Sequence, residues 1–176
     1  MGKFLLFGKN GQLGWELQRT LITMGEVSDY DFPEIDLGQP ESIREIIRET
    51  KPMLIINAAA YTNVDKAESE PDLAMNVNAI APGVMAEEAK RLNIALIHYS
   101  TDYVFDGTKG SPYLETDQAN PLNVYGKTKL EGERAVESIG GAYLIFRTSW
   151  VFSQRGNGFV AKVLQWARQQ ETLRVV

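Results

Sequence analysis

Lys3-Phe4-Leu5-Leu6-Phe7-Gly8-Lys9-Asn10-Gly11-Gln12-Leu13-Gly14, continued by Trp15-Glu16-Leu17-Gln18-Arg19-Thr20-Leu21, is the stretch that decides the fold. Its apolar run halts at Gly8, which suits a buried strand. Residues 15–21 look helical, so the glycines stand between a strand and a helix. Glycine there allows a tight turn, close approach of backbone to a pyrophosphate, and close packing of helix on strand. The first N–H groups of the helix, with their partial positive charge, face the phosphates. The spacing is G-x-x-G-x-x-G and not the usual G-x-G-x-x-G, which points to a different branch of dinucleotide-binding proteins.

Beyond the cradle, strands and helices alternate. Glu26 to Tyr30 reads as a second strand, with Asp29 or Asp31 near its end to take the ribose hydroxyls of NAD. No Lys or Arg lies between Met24 and Ile43 to meet a 2′-phosphate, so NADH is expected to be tolerated. Pro40 to Glu49 has Ile43, Ile46 and Ile47 at helical spacing, with Pro40 in the first turn. Met53 to Asn57 is a third strand, running into the small residues Ala58, Ala59 and Ala60, against which a cofactor can lie. Asp65 to Arg91 reads as mostly helical, with Pro71 and Pro82 marking breaks or starts. Further strands are expected at Ala95 to Tyr99 and Ala142 to Phe146, with a helix from Val124 to Ile139 between them. A last helix is expected over Asn157 to Gln170 and the start of a strand over Leu173 to Val176. This order predicts an α/β fold, a Rossmann-like doubly wound parallel sheet with right-handed crossovers. Ligands of such sheets bind beyond the carboxyl ends of the strands, where Gly8 to Gly14, Asp31, Ala58 to Thr62 and Ser100 to Asp102 all fall. Asp106 to Asn120 is polar and holds Gly and Pro, as a long functional loop does.

Composition narrows the function. The 176 residues suffice for one α/β core, and a net charge of −5 leaves no basic footprint for nucleic acid or an anionic membrane. No apolar run approaches the length of a membrane span, and the N-terminus reads as a strand and not as a signal peptide. Zero cysteines exclude disulfides and thiolate metal sites, and one histidine, His98, builds no His-rich site. No metal is expected, and a cytoplasmic location is the simplest expectation. His98 sits at the end of the apolar run Ile94 to Ile97, where a packed, hydrogen-bonded ring is the expected role.

Tyr125-Gly126-Lys127-Thr128-Lys129 carries the chemistry. Tyr125 and Lys129 lie one helical turn apart on one face. A free phenol has a pKa of about 10, and an ammonium held close is expected to favour the phenolate and pull that value down. A hydroxyl from another element, here Thr101, would share the substrate oxygen with the tyrosine.

The three glycines, Tyr125-x-x-x-Lys129 and the upstream Thr101 together resemble the extended short-chain dehydrogenase/reductases. Within that group, residues 100–107 (STDYVFDG), 121–133 (PLNVYGKTKLEGE), 57–68 (NAAAYTNVDKAE) and 147–151 (RTSWV) resemble the dTDP-4-dehydrorhamnose reductase family. The resemblance implies an NAD(P)-binding Rossmann-like domain over residues 1–176, incomplete at its C-terminal end, with the substrate-binding part largely absent from the chain. It also implies reduction of the 4-keto group of dTDP-4-dehydro-β-L-rhamnose to dTDP-L-rhamnose with NADPH or NADH. By position, Tyr125 is then the proton donor, and Lys129 tunes it and holds the nicotinamide ribose. Thr101 bonds the sugar 4-oxygen, and Asp102 and Trp150 touch the substrate. Gly8, Gly11, Gln12, Leu13, Gly14, Asp31, Asp36, Leu37, Ala60, Tyr61, Thr62 and Tyr99 become cofactor contacts. Members of the family run longer, and their C-terminal part forms most of the nucleotide-sugar pocket. Trp150 and Asn157 to Phe159 are therefore expected to supply only part of the substrate wall. The regulatory β subunit of methionine adenosyltransferase resembles the same reductases without being one, and other reductases or epimerases of the extended group share the fold. The intact Tyr125/Lys129 pair with Thr101 favours an enzyme over a regulatory subunit. A dTDP-sugar is the implied partner, and both monomer and homodimer stay open.

Overall fold

The computed structural model describes residues 2–153 and 158–173. Five strands, β1 (Lys3–Phe7), β2 (Glu26–Tyr30), β3 (Leu54–Asn57), β4 (Ala95–Thr101) and β5 (Ala142–Thr148), form one sheet in the order β2-β1-β3-β4-β5. Every pairing is parallel. Parallel strands need crossovers, and these are helical: α1 (Gln12–Leu21), α2 (Pro40–Thr50), the broken series α3 (Val64–Ala67), α4 (Pro71–Met75) and α5 (Ala81–Leu92), and α6 (Val124–Ile139). A final helix, α7 (Phe159–Ala167), follows β5. Of the last two expected elements, Asn157 and residues 174–176 lie outside the described residues.

The apolar run of β1 becomes the middle of the molecule. Leu5, Leu6 and Phe7 have no exposed surface, and burying each contributes about 1.5–3 kcal/mol. Successive strand residues point to opposite faces, so Leu5 and Phe7 join Ile43, Ile47, Ile55, Met85 and Leu96 on one side of the sheet. Phe4 and Leu6 pack with Leu21 and Ile56 on the other. The isoleucines at helical spacing in α2 are thus its inner stripe. Glu88 of α5 ties the α2 side down by accepting from Arg48 at 2.6 and 3.1 Å and from Arg91 at 2.6 and 2.9 Å. Among the described residues no helix is long and apolar enough to cross a membrane.

Two features set up the site. The chain leaves β1 toward β2 on one side and returns to β3 on the other, so the ends of β1 and β3 flank the crevice where the winding reverses, the ligand position of open α/β sheets. Between α4 and α5, residues Asn76–Ile80 widen into one π-helical turn, a deviation found frequently at functional sites. Pro71 starts α4 and Pro82 lies in the first turn of α5, where a missing N–H is tolerated.

Candidate active site

The glycine cradle owes its shape to contacts that a side chain would forbid. Gly8 ends β1 at φ +91°, and a Cβ there would lie 2.6 Å from the backbone nitrogen of Ala59. A Cβ on Gly14 would lie 1.9 Å from the Gly8 carbonyl oxygen. The turn closes through Gly11 N–H to Gly8 O at 3.1 Å, and Gly11 caps α1 with no side chain of its own. Gln12 at the head of α1 has a buried Oε1 without a partner among the described residues. Leu13 follows in the same turn of α1. Across the crevice, Ala58 N–H donates to Phe7 O at 3.0 Å, which brings the small residues after β3 against the cradle.

Of the two aspartates left open by the sequence, Asp31 faces the cradle. It accepts from the Asn10 N–H at 2.9 Å. Asp29 turns to Gln18 of α1 and to Lys9, whose Nζ lies 3.2 Å from its Oδ1. Asp36 shapes the turn into α2 by accepting from the Gly38 N–H at 2.8 Å. Leu37 packs against the core. Neither is drawn to the cradle by a described contact.

Tyr61 follows Ala60 in the loop after β3, and Asn78 in the π turn anchors it. Asn78 Oδ1 accepts from Tyr61 N–H at 2.8 Å, and its Nδ2 donates to Tyr61 O and Thr128 Oγ1, each at 3.1 Å. One buried amide thereby joins the loop of Tyr61 and Thr62 to α6. The Tyr61 hydroxyl donates to Glu70 at 2.6 Å.

At the carboxyl end of β4 the acid–base candidates meet. Asn123 caps α6 by accepting from Gly126 N–H at 2.7 Å, which fixes the first turn that carries Tyr125. The Tyr125 ring meets Tyr103 edge to face at 5.6 Å. Thr101 Oγ1 donates to Asp102 at 3.2 Å, and Asp102 accepts from Ser149 Oγ at 2.6 Å. Lys129 is buried, and its Nζ donates to the Tyr99 carbonyl at 2.6 Å.

The charge logic differs from the sequence expectation. Burial pushes the Tyr125 phenol above its ordinary value, the Thr101 hydroxyl pulls it back, and Asp102 and Tyr103 add to the rise. The Lys129 ammonium is hydrogen-bonded to the Tyr99 carbonyl and not to the phenol. Burial brings Lys129 itself down to about 8, with Glu133 opposing the shift.

His98 lies within β4 and is fully buried. Asn57 Oδ1 accepts from Ala59 N–H at 3.2 Å, so its amide nitrogen faces the ring and donates to Nδ1 at 3.1 Å. Desolvation, aided by Lys129, holds the imidazole well below its usual pKa, hence neutral.

Trp150 has φ +53°, a left-handed backbone that a bulky residue seldom adopts. Its ring is 76% exposed and meets Phe159 edge to face at 5.4 Å. Gly158, next to Phe159, lies against Gln12 of the cradle. A cavity of about 320 Å³ opens beside Tyr103, lined also by Asp102, Phe105, Tyr113, Leu122 and Asn123. Asp106 holds its rim, accepting from Thr108 N–H, Thr108 Oγ1, Tyr113 OH and Asn120 Nδ2 at 2.8–3.0 Å. Sequence reading missed Lys9, Asn78, Tyr103 and Ser149. Lys9, Tyr103 and Ser149 each lie inside a block already singled out, whereas Asn78 had no such signal.

A model of the family described as the RmlD substrate binding domain matches residues 2–176. A dTDP-4-dehydrorhamnose reductase of Burkholderia thailandensis is 50% identical over 174 residues, which are 99% of this chain and 58% of that protein. A crystal structure of a dTDP-4-dehydrorhamnose reductase from Clostridium acetobutylicum superposes with a TM-score of 0.94 at 40% identity, covering 99% of this chain and 62% of that one. A Bacillus anthracis dTDP-4-dehydrorhamnose reductase, solved in complex with NADP, gives a TM-score of 0.91 at 35% identity, covering 96% and 60%. The chain thus spans about three fifths of the length of the relatives it matches.

Proposed function

The chain belongs to the RmlD substrate-binding-domain family, and on that premise we propose that residues 1–176 bind NADPH or NADH and supply the acid of a dTDP-4-dehydrorhamnose reductase. The reaction converts the 4-keto group of dTDP-4-dehydro-β-L-rhamnose to the alcohol of dTDP-L-rhamnose. The observation that carries this reading is one of place. Tyr125, Thr101 and Lys129 gather at the end of β4, on the same edge of the sheet as the glycine turn after β1.

A dinucleotide suits this edge. The turn needs glycine at 8 and 14, and the N–H groups at the start of α1 have no side-chain cap. The nicotinamide, when bound, supplies the hydride. The glycine turn with Gln12 and Leu13 holds the pyrophosphate, Asp31 takes ribose hydroxyls, and Ala60, Tyr61 and Thr62 form the wall beyond β3. Asp36 and Leu37 keep their proposed place beside the adenosine half. Lys129, fixed by the Tyr99 carbonyl, presents its ammonium to the nicotinamide ribose.

Tyr125 and Thr101 grip the sugar 4-oxygen. As C4 gains hydride, the developing alkoxide takes the phenolic proton, and the Thr101 hydroxyl turns from Asp102 to donate a hydrogen bond to the same oxygen. The elevated pKa of Tyr125 keeps the phenol protonated beforehand, as a donor requires. Asp102, steadied by Ser149, and the exposed Trp150 face the sugar. The reading places the protein in the cytoplasm, as monomer or homodimer, acting on a dissolved dTDP-sugar and on neither nucleic acid nor membrane.

NAD(P)H oxidation driven by the keto-sugar tests this. Tyr125→Phe is expected to lower kcat by about 10²–10⁴-fold, the range for losing a general acid, with cofactor binding retained. Near-normal turnover in that variant would remove Tyr125 from the role.

A further inference from the structure

The sequence window that would ordinarily receive a 2′-phosphate, from Met24 to Ile43, contains no cation. The structure supplies one from elsewhere. Lys9, between the first two glycines, leans out of the cradle and over the end of β2. Its Nζ lies 2.6 Å from Glu34 Oε2, 3.2 Å from Asp29 Oδ1 and 3.4 Å from the Asp29 carbonyl oxygen. The side chain stays 22% exposed, so its ammonium can be reached from solvent.

The anions around it are not equivalent. Asp29 has a second partner in Gln18, and Asp31 accepts from the backbone N–H groups of Asn10 and Phe32. Glu34 is half exposed, and among the described residues Lys9 is its one charged partner. Of the carboxylates there, Glu34 is therefore the one that can let go without leaving a buried group unpaired.

A dinucleotide with its pyrophosphate on the glycine turn carries its adenine ribose to the end of β2. We propose that Lys9 is the specificity-determining residue for the 2′-phosphate, exchanging Glu34 for it, with Glu34 as the competing anion that limits the preference for NADPH. The inference rests on the cofactor reading above and adds the residue that separates the two cofactors. With a 2′-hydroxyl in place, Glu34 keeps the ammonium and Asp31 takes the ribose. With a 2′-phosphate in place, a doubly charged ligand outcompetes a single exposed carboxylate. Glu34 foremost, then Asp29, holds the Lys9 ammonium above its ordinary pKa, so the cation persists across the working pH range.

Equilibrium titration of the chain with NADPH and with NADH, followed by nicotinamide fluorescence, tests the proposal through binding alone. Lys9→Met is expected to weaken NADPH relative to NADH by about tenfold or more, and Lys9→Arg to restore most of the ratio. Glu34→Gln is expected to tighten NADPH several-fold and leave NADH as it was. Equal loss for both cofactors in Lys9→Met, or an unchanged ratio in both Lys9→Met and Glu34→Gln, would overturn the assignment of Lys9 while leaving the cofactor site standing. Failure of the unaltered chain to bind either nucleotide would overturn the cofactor reading, and this inference with it.

Discussion

Lys129 holds its ammonium largely out of water, with the Tyr99 carbonyl as its one described hydrogen-bond acceptor. Burial lowers its pKa from an ordinary 10.5 to about 8. Below pH 8 the folded protein must keep that buried charge, so the full destabilising effect is present there. Between about 8 and 10.5 the unfolded chain binds the proton more tightly than the folded one, and stability rises with pH. Lys129→Met should therefore raise stability at pH 7, on the order of 1–3 kcal/mol, with the gain fading toward pH 10.5. Urea unfolding at a series of pH values checks this, and a less stable variant at pH 7 would mean the ammonium is better paired than its burial implies. Cofactor affinity should move oppositely, falling as pH climbs through about 8 and the ammonium is lost. Tyr125, Lys129 and Thr101 were legible because their types and spacing state a chemistry. The electrostatic coupling expected of the pair was not, since shared helical face does not fix where a flexible ammonium finds its acceptor.

At the scale of elements, α6 is held by two close approaches that no side chain could share. A Cβ on Gly126 would lie 2.3 Å from the Tyr103 carbonyl oxygen, and one on Gly132 would lie 2.1 Å from that of Asn78. The helix bearing Tyr125 and Lys129 thus rests directly on the turn after β4 and on the π turn. Gly132→Ala forces backbone away from backbone and should cost about 1–3 kcal/mol, with a matching drop in the urea midpoint. Gly110→Ala, with open space around it, should stay within about 0.5 kcal/mol. Equal effects of the two would deny the close packing. The bounds of α6, Val124 to Ile139, and the apolar run of β1 were legible in the sequence. The π turn was not, because one inserted residue leaves no mark on composition and shifts the apolar period by less than a sequence reading resolves.

Over the whole molecule, the parallel order β2-β1-β3-β4-β5 brings to one edge groups that are up to 121 residues apart in sequence, from Gly8 to Tyr125 and Lys129. Alternation of apolar runs and helical stretches made that architecture legible, since few topologies satisfy short right-handed crossovers. The reach of Lys9 from the glycine turn to the end of β2, and of Asn78 from the Tyr61 loop to α6, was not legible. Both depend on side-chain reach across elements, which no local pattern records. Leu144 and Phe146 of β5, Phe152 after it and Leu164 of α7 are all exposed. The account stands on convergence: one nicotinamide dinucleotide should touch the turn after β1, the loop after β3 and Lys129 of α6 together. Amide hydrogen exchange of the chain, with and without saturating NADPH, measures this most directly. Exchange should slow at residues 9–14 and at 58–62 in the same titration, and Lys129→Met should weaken both effects in parallel. Protection of only one segment, of neither, or of both with no response to Lys129→Met would contradict it.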